Sequence, residues 1–226
     1  MVADGYAAGA VTLPVAEGLV NGDLDAPPRS RFVVVFAHGA GSSRRSPRNR
    51  RVAAALQRAG YATLLMDLLT ADEELVDVET REYRFDIPRL AERLIGALDW
   101  LESHDPTAPM PVVTFGASTG AAAALIAAAE RPQRVRAVIS RGGRPDLAGA
   151  ALARVTAPTL LIVGALDTTV IELNHQAAEQ MTAAQKVEVA LVPGATHLFE
   201  EPGTLDAVIE LTIDALDRHL IGHTKN

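Results

Sequence analysis

Short runs of Val, Ile, Leu and Phe recur along the chain, each closed by a polar or glycine-containing turn and followed by a longer stretch with helical spacing. The runs are 32–38 (FVVVFAH), 61–67 (YATLLMD), 111–117 (PVVTFGA), 135–140 (VRAVIS), 159–165 (TLLIVGA) and 187–192 (VEVALV). Near-continuous apolar strands suit a parallel sheet buried on both faces, and their alternation with helices makes crossover units. Ahead of them, 11–15 and 18–24 read as an antiparallel pair at the sheet edge. Helices are predicted over 47–59, 87–103, 118–130, 146–155, 171–181 and 202–220. Ser46 before Pro47 is an N-cap with proline at the first helical position, and Gly60 supplies the left-handed residue that ends that helix. The pattern predicts an α/β fold with a mostly parallel central sheet of about eight strands and helices on both faces.

With 226 residues and 48% apolar content, one α/β domain over 1–226 with a sizeable core is expected. The net charge of −7 has the wrong sign for a phosphate-binding surface, so nucleic acid is not an expected partner. The opening MVADG puts Asp4 where an export signal needs positive charge, which predicts a cytoplasmic location. The longest uncharged stretch, 106–129, is broken by three prolines and the GASTG turn, so no membrane association is expected. The absence of cysteine removes thiolate metal sites, disulfides and cysteine nucleophiles. No histidine pair has a metal-ligand spacing with a carboxylate beside it, so neither metal nor cofactor is implied.

Oxygen and nitrogen groups must then carry any chemistry, and one motif stands out. Gly116-Ala117-Ser118-Thr119-Gly120 fits GxSxG between a buried strand and an alanine-rich helix, the setting of a nucleophile elbow. A chain this rich in Gly and Ser would hold the bare motif by chance roughly 0.04 times, and the strand-to-helix context narrows it further. The alternative is a glycine-flanked turn with an idle serine.

A serine hydroxyl needs a base, and the base needs an acid to fix its tautomer. His197 follows the last strand through Pro193-Gly194-Ala195-Thr196, at the carboxyl end of the sheet where ligands gather. His104, His175, His219 and His223 read as surface residues, while His38 ends the first central strand and reads as shaping the HGAG turn. Asp167 follows the strand TLLIVGA and gives the chain order Ser, Asp, His; helix capping is its competing reading. Asp67 ends the strand YATLLMD at an analogous place, and sequence distance does not choose between the two.

His38-Gly39-Ala40-Gly41, the GASTG elbow, Asp167 and Gly194-Ala195-Thr196-His197 together resemble the α/β-hydrolase superfamily over residues 10–220, and within it the dienelactone hydrolase-like group. The namesake enzymes use a cysteine nucleophile where this chain has Ser118, which points from enol-lactones toward carboxylic esters. The resemblance implies Ser118 as nucleophile, His197 as base and Asp167 as the acid that orients it. It further implies an oxyanion hole from the backbone N–H groups of Ala40 and Thr119.

Only about 17 residues separate Ser140 from Pro158, too few for a large cap, so small to medium acyl groups are expected. Arg141 ends a strand on the active face, where it could meet an anionic part of the substrate or pair with a nearby carboxylate; His38 stands with it as a candidate substrate contact. Arg44, Arg45, Arg48, Arg50 and Arg51 crowd a helix start that disfavours cations, whereas 70–86 holds seven acids against Arg81 and Arg84. Mutual neutralisation of the two loops is the simplest reading, with an anion site for a carboxylate-bearing ester as the sharper one. The expected function is hydrolysis of small-molecule esters by a monomer or homodimer. A thioesterase, lactonase or peptidase on the same residues is one alternative, and a non-catalytic binding protein of the same fold another.

Overall fold

A computed structural model describes residues 7–218. Asp4 in the opening segment, His219, His223 and the end of the helix expected over 202–220 lie outside the described residues. The strands are β1 (Ala7–Val15), β2 (Gly18–Ala26), β3 (Val33–Ala37), β4 (Ala62–Met66), β5 (Val112–Ala117), β6 (Val135–Arg141), β7 (Thr159–Gly164) and β8 (Val187–Val192). They form one sheet in the order β1-β2-β4-β3-β5-β6-β7-β8. β1 and β2 pair antiparallel in register Val15↔Gly18, β2 meets β4 antiparallel, and every later pairing is parallel.

The helices are α1 (Pro47–Arg58), α2 (Ala71–Thr80), α3 (Ile87–Leu101), α4 (Gly120–Glu130), α5 (Thr168–Gln180) and α6 (Thr204–Leu216). Alternate strand residues send side chains into two apolar layers. On one face Val34, Phe36, Phe115 and Ile139 pack against α1 and α6 through Val52, Leu56, Leu205 and Val208. On the other, Val35, Val112 and Val138 meet α3, α4 and α5 through Leu94, Leu125 and Ala177. Because the parallel strands all point the same way, the loops after β3, β5, β6, β7 and β8 gather at one edge.

Two elements differ from expectation. The acidic stretch after β4 forms α2, held at its start by a capping box in which Thr70 accepts from the Glu73 amide and Glu73 accepts from the Thr70 amide. The segment expected as a helix over 146–155 is a 3-10 segment, Pro145–Arg154, kinked at Gly149 with φ +53°. It adds no large insertion after β6. No helix of the described residues is long and apolar enough to cross a membrane.

Candidate active site

The turn between β5 and α4 forces Ser118 to φ +50°, a conformation an L-residue holds only when its surroundings fix it. Its surroundings explain why two glycines flank it. A Cβ on Gly116 would lie 2.3 Å from the Ala121 Cα, and one on Gly120 would lie 2.3 Å from the Ala37 carbonyl oxygen. Three backbone bonds pin the turn: the Ser118 N–H donates to the Arg141 carbonyl at 3.3 Å, and the Ser118 carbonyl accepts from Ala121 at 3.1 Å and Arg144 at 3.0 Å.

The HGAG turn after β3 lies directly against this serine, since a Cβ on Gly39 would approach the Ser118 Cβ to 3.0 Å. His38 builds that turn. Its Nδ1 donates to the Gly39 carbonyl at 3.0 Å and its Nε2 accepts from the Leu68 amide at 3.1 Å, which requires the neutral Nδ1-protonated ring. Burial holds the imidazole below its usual range, outweighing the Gly39 hydrogen bond and the nearby Asp67 charge. With both nitrogens taken by backbone, the ring has no polar atom left for a ligand, so the substrate contact considered for His38 is corrected to a turn-shaping part. The N–H groups of Ala40 and Thr119 have no protein acceptor among the described residues. Both amides thus stay free to donate beside Ser118.

Asp167 and His197 meet across the ends of β7 and β8, with His197 Nδ1 2.7 Å from Asp167 Oδ2. Asp167 holds the N-cap position of α5, yet its side chain makes no capping bond. Its carboxylate is given to the imidazole. Glycine at position 164 is needed because a Cβ there would lie 2.5 Å from the carbonyl oxygens of Ala195 and Thr196. The histidine loop is braced by Glu201, which accepts from the Thr196 hydroxyl at 2.6 Å and the Thr196 amide at 3.2 Å. Phe199, at φ +55° and buried, seals it below. Arg141-Gly142 joins the two halves: Arg141 receives the Ser118 amide, and the Cβ position of Gly142 is 2.9 Å from the His197 carbonyl. Phe199 and Glu201 carry no signal in the sequence, where only the Pro193-Gly194-Ala195-Thr196 turn marks the loop.

The runner-up acid sits elsewhere. Asp67 accepts from the Arg44 amide at 2.8 Å and pairs with the Arg44 guanidinium, anchoring the chain after the HGAG turn. Four of the five clustered arginines have carboxylate partners, none of them from 70–86. Arg44 and Arg50 face Asp23, Arg48 pairs with Glu200, and Arg51 pairs with Asp206. Within 70–86, Asp77 instead meets Arg84, Glu73 meets Arg89 and Arg93, and Asp86 meets Arg89, so the two loops do not pair with each other. His175 is exposed on α5, and His104 stacks on Trp100 at 3.9 Å.

A parallel sheet with a strained serine after β5, an aspartate after β7 and a histidine after β8 is the architecture of an α/β hydrolase. The dienelactone hydrolase family matches residues 18–220, and the chain belongs to that family. A dienelactone hydrolase from Anabaena variabilis is 54% identical, with a TM-score of 0.91 over 96% of this chain and 99% of that one. A Pyrococcus furiosus esterase at 16% identity shares the fold, with a TM-score of 0.74 over 95% of this chain and 93% of that one. A Mycobacterium tuberculosis protein provisionally named a phosphoribosyl transferase is 56% identical over 203 residues, 90% of this chain. The match spans only 44% of that relative's length.

Proposed function

We propose that the protein is a serine hydrolase that cleaves carboxylic esters of small to medium acyl groups through an acyl-serine intermediate. The observation that carries the reading is the Asp167 carboxylate, withheld from its helix cap and placed 2.7 Å from His197 Nδ1. That bond fixes the tautomer with Nε2 unprotonated and able to accept a proton. Ser118 Oγ attacks the ester carbonyl while His197 Nε2 takes its proton, and the tetrahedral oxyanion rests on the Ala40 and Thr119 N–H groups. The proton passes to the leaving alkoxide, the alcohol departs, and Ser118 holds the acyl group. Water, deprotonated by the same imidazole, then releases the acid and restores Ser118.

Membership in the dienelactone hydrolase family and 54% identity to the Anabaena variabilis dienelactone hydrolase support hydrolysis. The phosphoribosyl transferase name belongs to a relative of which this chain matches less than half. Esters rather than enol-lactones are favoured by the serine at 118 and the short connection after β6. The test is a panel of p-nitrophenyl esters, acyl thioesters, lactones and peptides. Ester turnover should dominate and fall about 10⁵- to 10⁶-fold in Ser118→Ala. Faster thioester or lactone turnover would move the activity within the hydrolases, and turnover of none would leave a binding protein.

A further inference from the structure

Arg141 is a buried cation without an anion. Its side chain points to the α1 and α6 side of the sheet, alternating with Ala137 and Ile139 of the same layer, and it is 8% exposed. One guanidinium nitrogen, Nη2, donates to the Asn49 side-chain oxygen at 3.2 Å. Nε and Nη1 are buried with no partner, and no carboxylate pairs with the group among the described residues. The neighbour that its charge does feel is Arg48; burial and then that like charge pull the guanidinium down to about 10, still protonated at neutral pH. Arg48 also keeps a buried, unpartnered Nε beyond its pair with Glu200.

Elsewhere in this corner Arg44, Arg50 and Arg51 have carboxylate partners. Stripping water from a guanidinium costs several kcal/mol unless a counter-charge replaces it. Both arginines converge on the first turn of α1, which has no acidic residue and whose amide dipoles favour an anion. The backbone of Arg141 supports Ser118 and that of Gly142 abuts His197, which puts this concentration of positive charge next to the candidate triad.

We propose that Arg141, Arg48 and Asn49 form a subsite for a small oxyanion, a carboxylate or phosphate, next to the candidate triad. The anion would accept from one of the two unpartnered Arg141 nitrogens, Nε or Nη1, in a charge-assisted hydrogen bond, with Arg48 contributing from the solvent side. Its source is a free anion or an acidic group carried by the substrate. The second source rests on the proposed esterase reading, whereas the first does not.

The experiment has two arms on the full chain. In the first, thermal unfolding is followed with and without 10 mM inorganic phosphate (roughly tenfold above a Kd of about 1 mM) at constant ionic strength. The wild type should gain about 3–5 °C, Arg141→Met should gain nothing, and Arg48→Met less than half of the wild-type shift. Arg48→Met also serves if Arg141→Met does not fold. In the second, kcat/KM is compared for p-nitrophenyl butyrate and p-nitrophenyl hemisuccinate, which differ by a terminal carboxylate. A preference for hemisuccinate of about 10- to 100-fold, lost in Arg141→Met, assigns the anion to the substrate. A phosphate shift without that preference assigns it to a free anion. A phosphate shift with neither ester hydrolysed leaves the subsite standing and removes the esterase. Equal phosphate shifts in wild type and variants, or none, together with equal ester ratios, overturn the proposal.

Discussion

Asp167 and Asp67 each follow a parallel strand, and each has a cation or imidazole within hydrogen-bond reach, so the choice between them is made by what their oxygens touch. Asp167 holds His197 Nδ1, whereas Asp67 holds Arg44. Asp167→Asn should preserve the fold yet lower kcat about 10⁴-fold, because the amide would favour the wrong imidazole tautomer. Asp67→Asn should cost far less, since it loosens only a loop anchor; steady-state kinetics that reversed this order would transfer the role to Asp67. Sequence spacing placed both aspartates at strand ends without choosing between them, and only the resemblance pointed to Asp167, because the pairing of β7 with β8 that brings it to His197 belongs to the fold. His38 makes a second prediction. Its folded pKa is lowered by burial, so the unfolded chain binds more protons as pH falls below the ordinary histidine value of about 6.5. Stability should therefore decline from pH 7 to pH 5, with a His38 contribution of at most about 1.4 kcal/mol per pH unit. His38→Gln, which keeps an acceptor for the Leu68 amide, should flatten the dependence in urea titrations at pH 5, 6 and 7. An unchanged slope would mean that the ring is not the buried neutral group described.

Among the elements, β3, β4, β5 and β7 are legible because each is an apolar run buried on both faces, and α1 because Ser46, Pro47 and Gly60 mark its ends. α2 was not legible. Leu75, Val76 and Val78 are exposed and only Asp77 is buried, so the helix has no apolar stripe to read. The Thr70-x-x-Glu73 capping box was its one sequence signal. Polar pins hold it instead: Asp77 accepts from the Tyr83 and Arg84 amides, and Glu73 reaches Arg89 at 2.6 Å and the buried Arg93 at 2.8 Å. Glu73→Ala would leave the buried Arg93 with only the exposed Glu17 carboxylate at 3.8 Å and should cost about 3 kcal/mol in urea unfolding. Amides across 71–84 should also exchange faster with solvent. A loss under about 0.5 kcal/mol, the size of an ordinary surface change, would show that the pair is not what fastens the helix.

At the scale of the whole molecule, the sheet order carries the function. Inserting β4 between β2 and β3 and running β5 to β8 outward on the other side brings the ends of β3, β5, β7 and β8 to one edge. α1 is tied to the segment beyond His197 by Arg48–Glu200 at 2.9 Å and Arg51–Asp206 at 2.6 Å. The oxyanion turn and the histidine loop are thereby braced against each other. Neither of those two pairs, distant in sequence, could be read from charge runs alone, which suggested the acids of 70–86 as partners for the arginines. The central claim is that this edge activates Ser118, and covalent labelling tests it most directly. A fluorophosphonate reacts only with a serine supplied with both a base and an oxyanion hole, and its adduct resembles the tetrahedral intermediate. Intact mass should reveal one adduct per chain, and peptide mapping should place it on Ser118, in parallel with loss of ester turnover. Labelling on Ser42 or Ser43, or no labelling of folded protein under conditions that fully modify a known serine esterase, would contradict the account.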